Sequence, residues 1–187
     1  MSRARSSANC GWCCWRCRSF TGSASARSPT TPSSWNRSLL SAALLSLDDR
    51  VAVAGQLTPG DMTEIAAAGY VAVVNNRPDG EAIFGQPRTA DLRKAAEAAG
   101  LVFLDLPFSG PRATPEQVRA FAALLVARPG RVVAFCKSGM RSALLWGAAA
   151  IASGRSLDEV LAAAMQAGQN LDPLGETMVG LARSARA

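Results

Sequence analysis

The sequence contains no histidine in its 187 residues. A serine–histidine–aspartate triad, a cysteine–histidine dyad and a histidine-ligated metal or haem site are therefore excluded for this chain. Long apolar runs are also lacking. The longest, residues 143–152, is well short of the roughly 18 residues that a membrane-spanning helix needs. With 49% apolar residues, the chain can still bury the core of one domain, and we expect no membrane partner.

Acidic residues are absent from the first 47 positions, which carry six arginines. The net charge of the whole chain is +6, so the remaining residues are neutral overall. The positive charge therefore belongs to the N-terminal segment and not to a basic surface on the body of the protein. We expect no nucleic-acid partner for that body.

The N-terminal segment also lacks the periodicity of a helix or a strand over residues 1–38. Two abutting CxxC pairs occur there, formed by Cys10, Cys13, Cys14 and Cys17. Zinc knuckles need about 15–20 residues between such pairs, so we predict no metal site. We interpret residues 1–47 as a disordered or non-native extension, such as an over-long translation start, and residues 48–187 as the folded domain. A targeting peptide stays open as an alternative.

From residue 48 onward, short apolar segments alternate with helical patterns. Strands are predicted at residues 50–54, 70–74, 101–106 and 131–135, and helices at residues 58–68, 89–99, 114–128, 141–153 and 156–167. This alternation predicts an α/β fold with a mainly parallel central sheet and helices on both faces. The functional site of such a sheet lies beyond the carboxyl ends of the strands.

Cys136 is the one cysteine of the body, which favours a reducing, cytoplasmic setting. It ends a predicted strand, and the loop that leads to the next helix consists of Lys137, Ser138, Gly139 and Met140. Backbone N–H groups at the start of that helix can form an anion-binding nest.

Two residues that follow the loop complete this prediction. Arg141 can close the ring around a bound anion with its fork of donors, and Ser142 can hydrogen-bond the sulfur. The dipoles and the guanidinium favour the thiolate, so Cys136 is predicted to be a nucleophile. The alternative is that Cys136 is a small core residue.

Acidic and basic side chains in two neighbouring loops are further candidates for site residues, either to bind the substrate or to act as a general acid. We expect Arg77 to contact an anionic substrate, with a purely structural turn as the alternative. Asp105, at the end of a predicted strand, is the candidate general acid. Its alternative is a carboxylate that only faces solvent or a helix. Asp79 and Glu81 are weaker candidates for the same role.

Five separated segments resemble a bacterial family of sulfur transferases with a phosphatase-like fold, which also occurs as a domain of beta-lactamase-hydrolase-like proteins. The segments are residues 50–59, 74–81, 85–87, 114–118 and 136–142. The last of them is similar to the active-site loops of both rhodaneses and cysteine-dependent phosphatases. The resemblance covers residues 48–172.

The resemblance implies a cysteine nucleophile but leaves the reaction open. Four residues separate Cys136 from Arg141, as is typical of rhodaneses, whereas phosphatases typically have five. Phe135 also stands where phosphatases usually have histidine. We therefore expect a sulfurtransferase. Cys136 would take sulfane sulfur from thiosulfate or a small persulfide and pass it to a thiol acceptor, without metal or organic cofactor.

Two alternatives remain at this point. One is a phosphatase that forms a phospho-cysteine, and the other is a non-catalytic persulfide sensor. In either enzyme the predicted ligand is a small anion, and the sequence indicates no oligomeric state.

Overall fold

The structure, a computed structural model, describes residues 42–187. The predictions about the cysteine pairs and almost all of the N-terminal extension concern residues outside this range. They are therefore not tested by the fold.

Strands and helices alternate along the described chain. The strands are β1 (Leu45–Ser46), β2 (Val51–Ala54), β3 (Tyr70–Asn75), β4 (Val102–Asp105) and β5 (Arg131–Phe135). The helices are α1 (Asp61–Ala67), α2 (Thr89–Ala98), α3 (Pro115–Ala127), α4 (Met140–Ala152), α5 (Leu157–Gln166) and α6 (Gly175–Arg186). Every predicted element is present, with ends that differ by a few residues. β1, α6 and a short 3-10 helix at Asp172–Leu174 were not predicted.

The five strands form one sheet in the order β1-β2-β5-β3-β4. β2, β5, β3 and β4 are parallel, and β1 is antiparallel at the edge. In register, Asn75 at the end of β3 lies between Phe135 of β5 and Asp105 of β4. The loops that leave these three strands therefore meet at one edge, as predicted.

Both faces of the sheet are covered by apolar layers. Val132 and Ala134 of β5 belong to the layer that contains α3, α4, α5 and α6. Val133 and Phe135 belong to the opposite layer, which contains α1 and α2. Successive side chains of a strand point to opposite faces, so a run of apolar residues is buried on both sides. The predicted α/β fold with helices on both faces is confirmed.

Helix caps explain where two of the helices begin. Capping boxes are present at α3 and α5: Thr114 Oγ1 and Ser156 Oγ each accept a 3.3 Å hydrogen bond from the backbone N–H three residues on. The first helix begins later than predicted. Thr58 donates its N–H and hydroxyl to Asp61 at 2.7 and 2.8 Å, so the chain makes a turn before α1 begins at Asp61.

The folded body begins before residue 48. β1 pairs with β2, and Leu47 is buried in the core. At the other end, α6 buries Met178 and Ala182 against α3 and α4. The two glycines of α6 obscure its helical pattern in the sequence, but a helix tolerates glycine when tertiary packing stabilises it.

None of the helices in the described part of the chain combines the length and the apolar character needed to cross a lipid bilayer.

Two helix glycines make a matched pair for testing the packing of α4 against α6. A Cβ at Gly147 of α4 would collide with Met178 Sδ and lie 3.1 Å from Val160 Cγ1, whereas one at the exposed Gly180 of α6 would meet nothing. We expect Gly147→Ala to lower the free energy of unfolding by about 1–2 kcal/mol, because the core is overpacked. Gly180→Ala should raise it by about 0.5–1 kcal/mol. Urea titration of both variants measures this, and an equal change in both would contradict the described packing.

Candidate active site

The predicted nucleophile lies at the centre of the sheet, directly after β5. Cys136 continues the parallel ladder, because its N–H donates to the carbonyl of Ala54 at 3.3 Å. Its Sγ accepts a hydrogen bond from the backbone N–H of Gly139 at 3.1 Å. The residue is only 1% exposed. The loop thus aims at least one amide of the start of α4 at the sulfur, as the sequence predicted.

Gly139 determines the shape of this loop. It has a φ of +92° in the left-handed region and directly precedes the first residue of α4. A Cβ here would be strained and would lie 3.4 Å from the side-chain nitrogen of Gln169 and 3.5 Å from the carbonyl of Ala54. Glycine therefore lets the backbone N–H turn back toward the sulfur. Lys137 and Ser138 are exposed on the same turn.

The guanidinium of Arg141 is hydrogen-bonded to groups from two other loops. Its Nη1 and Nη2 each donate to one carboxylate oxygen of Glu81 at 2.7 Å, and Nη1 also donates to the carbonyl of Phe108 at 2.7 Å. The pKa of Arg141 is raised above its ordinary value, chiefly because the hydrogen bonds to Glu81 favour the charged form. The nearby sulfur of Cys136 acts in the same direction.

Glu81 is the carboxylate that the structure places in the site. Its Oε2 also accepts from Arg77 Nε at 3.0 Å, so one carboxylate is held by two guanidinium groups. These hydrogen bonds, first of all those from Arg141, lower the pKa of Glu81 below its ordinary value. From the sequence, Glu81 is a weaker candidate than Asp105, because separation along the chain does not indicate which carboxylate reaches the arginine.

Arg77 is buried and serves first as a structural group. It donates from Nη1 to Gln56 Oε1 at 2.7 Å and from its backbone N–H to Asn75 Oδ1 at 2.9 Å. It does not line the cavity above the loop. Its direct contact with a substrate therefore stays a prediction, while its contact with Glu81 is part of the structure.

The candidate general acid, Asp105, lies to one side of the site. Its Oδ1 accepts from Asn75 Nδ2 at 2.8 Å, and β3 separates its strand from β5. Asp79 instead accepts from the N–H and hydroxyl of Thr89, at 2.9 and 2.7 Å, at the start of α2. The contact of Asp105 with Asn75 links the ends of two strands, and the contact of Asp79 with Thr89 caps the start of a helix. Neither residue lines the cavity beside Cys136.

Ser142 is buried in the first turn of α4, but its hydroxyl makes no hydrogen bond within the described range. The predicted bond from this hydroxyl to the sulfur is therefore absent in this state. Asn76 Oδ1 is the other buried side-chain polar atom without a partner in that range. A buried polar atom left unsatisfied costs stability, which is commonly tolerated at functional sites.

An open cavity of about 430 Å³ lies over the loop. Its lining residues are Glu81, Gly110, Lys137, Ser138, Met140 and Arg141. Four of them belong to the predicted site, and two, Glu81 and Gly110, come from other loops. A second cavity, of about 370 Å³, is lined by residues of α3 and α4, including Trp146, and by none of the predicted site residues. Four of the predicted site residues, although not Cys136 itself, line the first cavity, and it is therefore the candidate active site.

In residues 42–187, no three cysteine, aspartate or glutamate side chains are grouped so that they could hold a metal ion.

Comparison with known proteins identifies the family. Residues 43–153 match the phosphatase-like domain of beta-lactamase hydrolase-like proteins. The chain belongs to this family. It is 37% identical over 100 residues to a beta-lactamase hydrolase-like protein of Agrobacterium fabrum, covering 54% of this chain and 23% of the relative. The chain thus spans about a quarter of the length of the curated relatives it matches.

Solved structures show the same fold. A Neisseria meningitidis protein provisionally named a phosphatase superposes with a TM-score of 0.64 and 33% identity, covering 73% of this chain and 96% of that one. PTPMT1 superposes with a TM-score of 0.61 at 15% identity, covering 76% and 96% of the two chains. The predicted family resemblance and the cysteine-phosphatase-like fold are confirmed.

The expected sulfurtransferase activity, with its persulfide intermediate and thiol acceptor, is wrong. The family is phosphatase-like, and the Neisseria meningitidis structure named above is of a protein provisionally named a phosphatase. The match includes Cys136 and Arg141, so the four-residue spacing occurs within a phosphatase-like segment. Loop length misled because it counts the residues of one loop only. In the structure the Arg141 guanidinium lies near the sulfur of Cys136 and also binds Glu81, which belongs to another loop.

The ion pair in the site predicts how stability depends on pH. The pKa of Glu81 is lowered in the folded state, so its contribution to stability is complete above its unfolded pKa, near 4.5, and is lost as the pH falls through the lower folded value. Wild type should therefore be more stable than Glu81→Gln at neutral pH, and the difference should shrink below about pH 4.5. Urea unfolding from pH 7 to 3 measures this difference in the free energy of unfolding.

Glu116→Gln is the control. It removes the exposed ion pair with Arg119 and should show a smaller difference from wild type. A Glu81→Gln effect that is independent of pH would contradict the pairing.

Proposed function

We propose that this chain is a cysteine-dependent phosphatase that hydrolyses small phosphomonoesters through a phospho-cysteine on Cys136. The single observation that carries the proposal is the 3.1 Å contact from the Gly139 amide to Cys136 Sγ at the start of α4. A sulfur in that position lies where backbone N–H groups and the helix dipole stabilise negative charge. Arg141, in the first turn of the same helix, supplies a cation that suits a phosphate.

The first step forms the intermediate. The thiolate of Cys136 attacks the phosphorus, a sulfur–phosphorus bond forms, and the phosphorus–oxygen bond to the leaving group breaks with its electron pair on oxygen. Negative charge that develops on the other phosphate oxygens is stabilised by the loop amides and by Arg141. In the second step, water attacks phosphorus. The sulfur–phosphorus bond breaks, inorganic phosphate is released, and Cys136 is regenerated as a thiolate.

Protonation of the leaving oxygen is the step for which the site offers least help. The loop of residues 106–114, between β4 and α3, contains no acidic residue. Asp105 is held by Asn75 outside the cavity. Glu81 lines the cavity, but its lowered pKa keeps it ionised at neutral pH, so it is a poor acid.

A site of this kind favours phosphoesters whose leaving group needs no protonation. We therefore propose aryl phosphates, or other phosphates with weakly basic leaving groups, as the substrate class. Related folds handle phosphate groups in other settings: TpbA has been solved in complex with pTyr, and PTPMT1 in complex with PI(5)P. These ligands belong to those proteins. They are compatible with a small phosphate-bearing anion as the substrate here.

The covalent intermediate provides a direct test. Wild type mixed rapidly with an aryl phosphate and quenched in acid should gain the mass of one phosphoryl group on the peptide that contains Cys136. Cys136→Ser should show no such gain and should lose at least about a thousandfold in rate, because a neutral hydroxyl is a far weaker nucleophile. Its circular dichroism and urea midpoint control for folding. Steady phosphate release by Cys136→Ser at the wild-type rate would overturn the proposal.

The leaving group provides a second test. A series of aryl phosphates with leaving phenols of increasing pKa should show a steep fall in kcat/KM, because no acid protonates the departing oxygen. Asp105→Asn should leave that dependence unchanged and alter kcat by less than about threefold. If Asp105→Asn lowers kcat by about a hundredfold and steepens the dependence, Asp105 is the general acid after all.

A further inference from the structure

The guanidinium of Arg141, which is proposed to bind the substrate phosphate, already forms an ion pair with Glu81 in the structure. Arg141 presents the fork formed by Nη1 and Nη2, and both nitrogens bind the two oxygens of Glu81 at 2.7 Å. Two parallel N–H···O bonds of this type are also the preferred way in which arginine binds a phosphate. Glu81 therefore holds the position that two oxygens of a substrate phosphate would take.

The buried sulfur fits the same interpretation. Cys136 is 1% exposed while Glu81 holds Arg141, and attack on phosphorus requires that the sulfur be reached. The pair joins the segment after β3 to the segment after β5. Groups above the sulfur must move before a phosphate can approach it.

We propose, resting on the proposed phosphatase function, that Glu81 determines substrate affinity as an internal competitor for Arg141, and that phosphate binding displaces its carboxylate. Glu81 is thus a specificity-determining residue. It discriminates against weakly bound anions, because only an anion that binds Arg141 better than the carboxylate does can enter.

The segment that carries Glu81 can make this movement at low cost. Between β3 and α2 it forms no helix or strand, and its residues Ile83 and Phe84 are 92% and 88% exposed. Few apolar contacts are therefore lost when the segment shifts. Within it, the side chain of Gln86 bonds the carbonyl of Pro78 at 2.7 Å and the N–H of Ala82 at 3.1 Å, which keeps the turn intact.

Arg77 gives the displaced carboxylate a second partner. It is buried, lies four residues before Glu81 and already binds Glu81 Oε2 at 3.0 Å. Its position is fixed by Gln56 on the other side, at 2.7 Å. Glu81 can therefore leave Arg141 without losing all charge pairing, which keeps the cost of displacement within the range of a phosphate's binding energy. Arg77 is then a positioning residue for Glu81.

The opposing arrangement is a phosphate that binds Arg141 along its Nε–Nη2 edge while Glu81 stays in place. Under that arrangement the negative charge of Glu81 would still be near the ligand, but the fork would never be vacated. Loss of the charge would then tighten phosphate binding in Glu81→Gln by removing repulsion, but Glu81→Ala, which also removes a group that orients Arg141, would bind no tighter than Glu81→Gln.

Binding of inorganic phosphate distinguishes these arrangements. Calorimetry at neutral pH should give a dissociation constant about five- to tenfold lower for Glu81→Gln than for wild type, because no carboxylate competes for the guanidinium. Glu81→Ala, which also removes the remaining amide hydrogen bond to Arg141, should bind phosphate more tightly still than Glu81→Gln, because no side chain then competes for the guanidinium. Glu116→Gln, which breaks a comparable but exposed pair on α3, should bind like wild type.

Kinetics with an aryl phosphate provide the second measurement. Glu81→Gln should lower KM by a similar factor and leave kcat within about twofold, since the competition concerns the ground state. A merely structural role would instead lower kcat. Equal or weaker phosphate binding in both Glu81 variants, or binding by Glu81→Ala that is no tighter than by Glu81→Gln, with wild type active, overturns this inference and leaves the phosphatase proposal standing. If neither wild type nor any variant binds phosphate or releases it from the ester, both proposals fail.

Discussion

The site depends on one contact, the hydrogen bond from the Gly139 amide to Cys136 Sγ. It requires a parallel strand that ends at the centre of the sheet, a turn with positive φ, and a helix that begins at once. The sheet supplies the first requirement through β2 and β3 on either side of β5. Glycine supplies the second, since a side chain there would be strained and would crowd Gln169. The core layer under α4 then holds the helix, and therefore its N-terminal amides, against the sulfur.

Electrostatics in the site are set by a chain of three charges. Arg77 and Arg141 flank the carboxylate of Glu81, which lowers the pKa of the carboxyl and raises that of Arg141. These three charges balance one another without a ligand, so Arg141 does not present an unpaired fork of donors to the cavity. In the proposed binding step, Arg141 exchanges the carboxylate of Glu81 for the phosphate of the ligand. The affinity of the site is then the difference between the arginine–phosphate and the arginine–carboxylate interactions.

The incorrect sulfurtransferase prediction shows what a residue count cannot convey. Four residues between Cys136 and Arg141 were interpreted as a tight ring suited to one sulfur atom. The guanidinium does lie near the sulfur, but it also binds Glu81 and the carbonyl of Phe108, which belong to the loops after β3 and β4. The space above the sulfur is consequently shaped by three loops, and the length of one of them does not determine which anion fits.

Sequence by itself determined the alternation of strands and helices, the capping boxes of α3 and α5, and the placement of Cys136 between a buried strand and a helix. These features follow from local propensity and from apolar periodicity, which nearby residues encode. Only the tertiary structure decided that Glu81, rather than Asp105, binds Arg141, and that Arg77 binds the same carboxylate of Glu81. It also decided that residues 45–47 and α6 complete the core. The contact between Glu81 and Arg141 joins residues 60 positions apart, and its geometry depends on how the sheet brings the strand ends together.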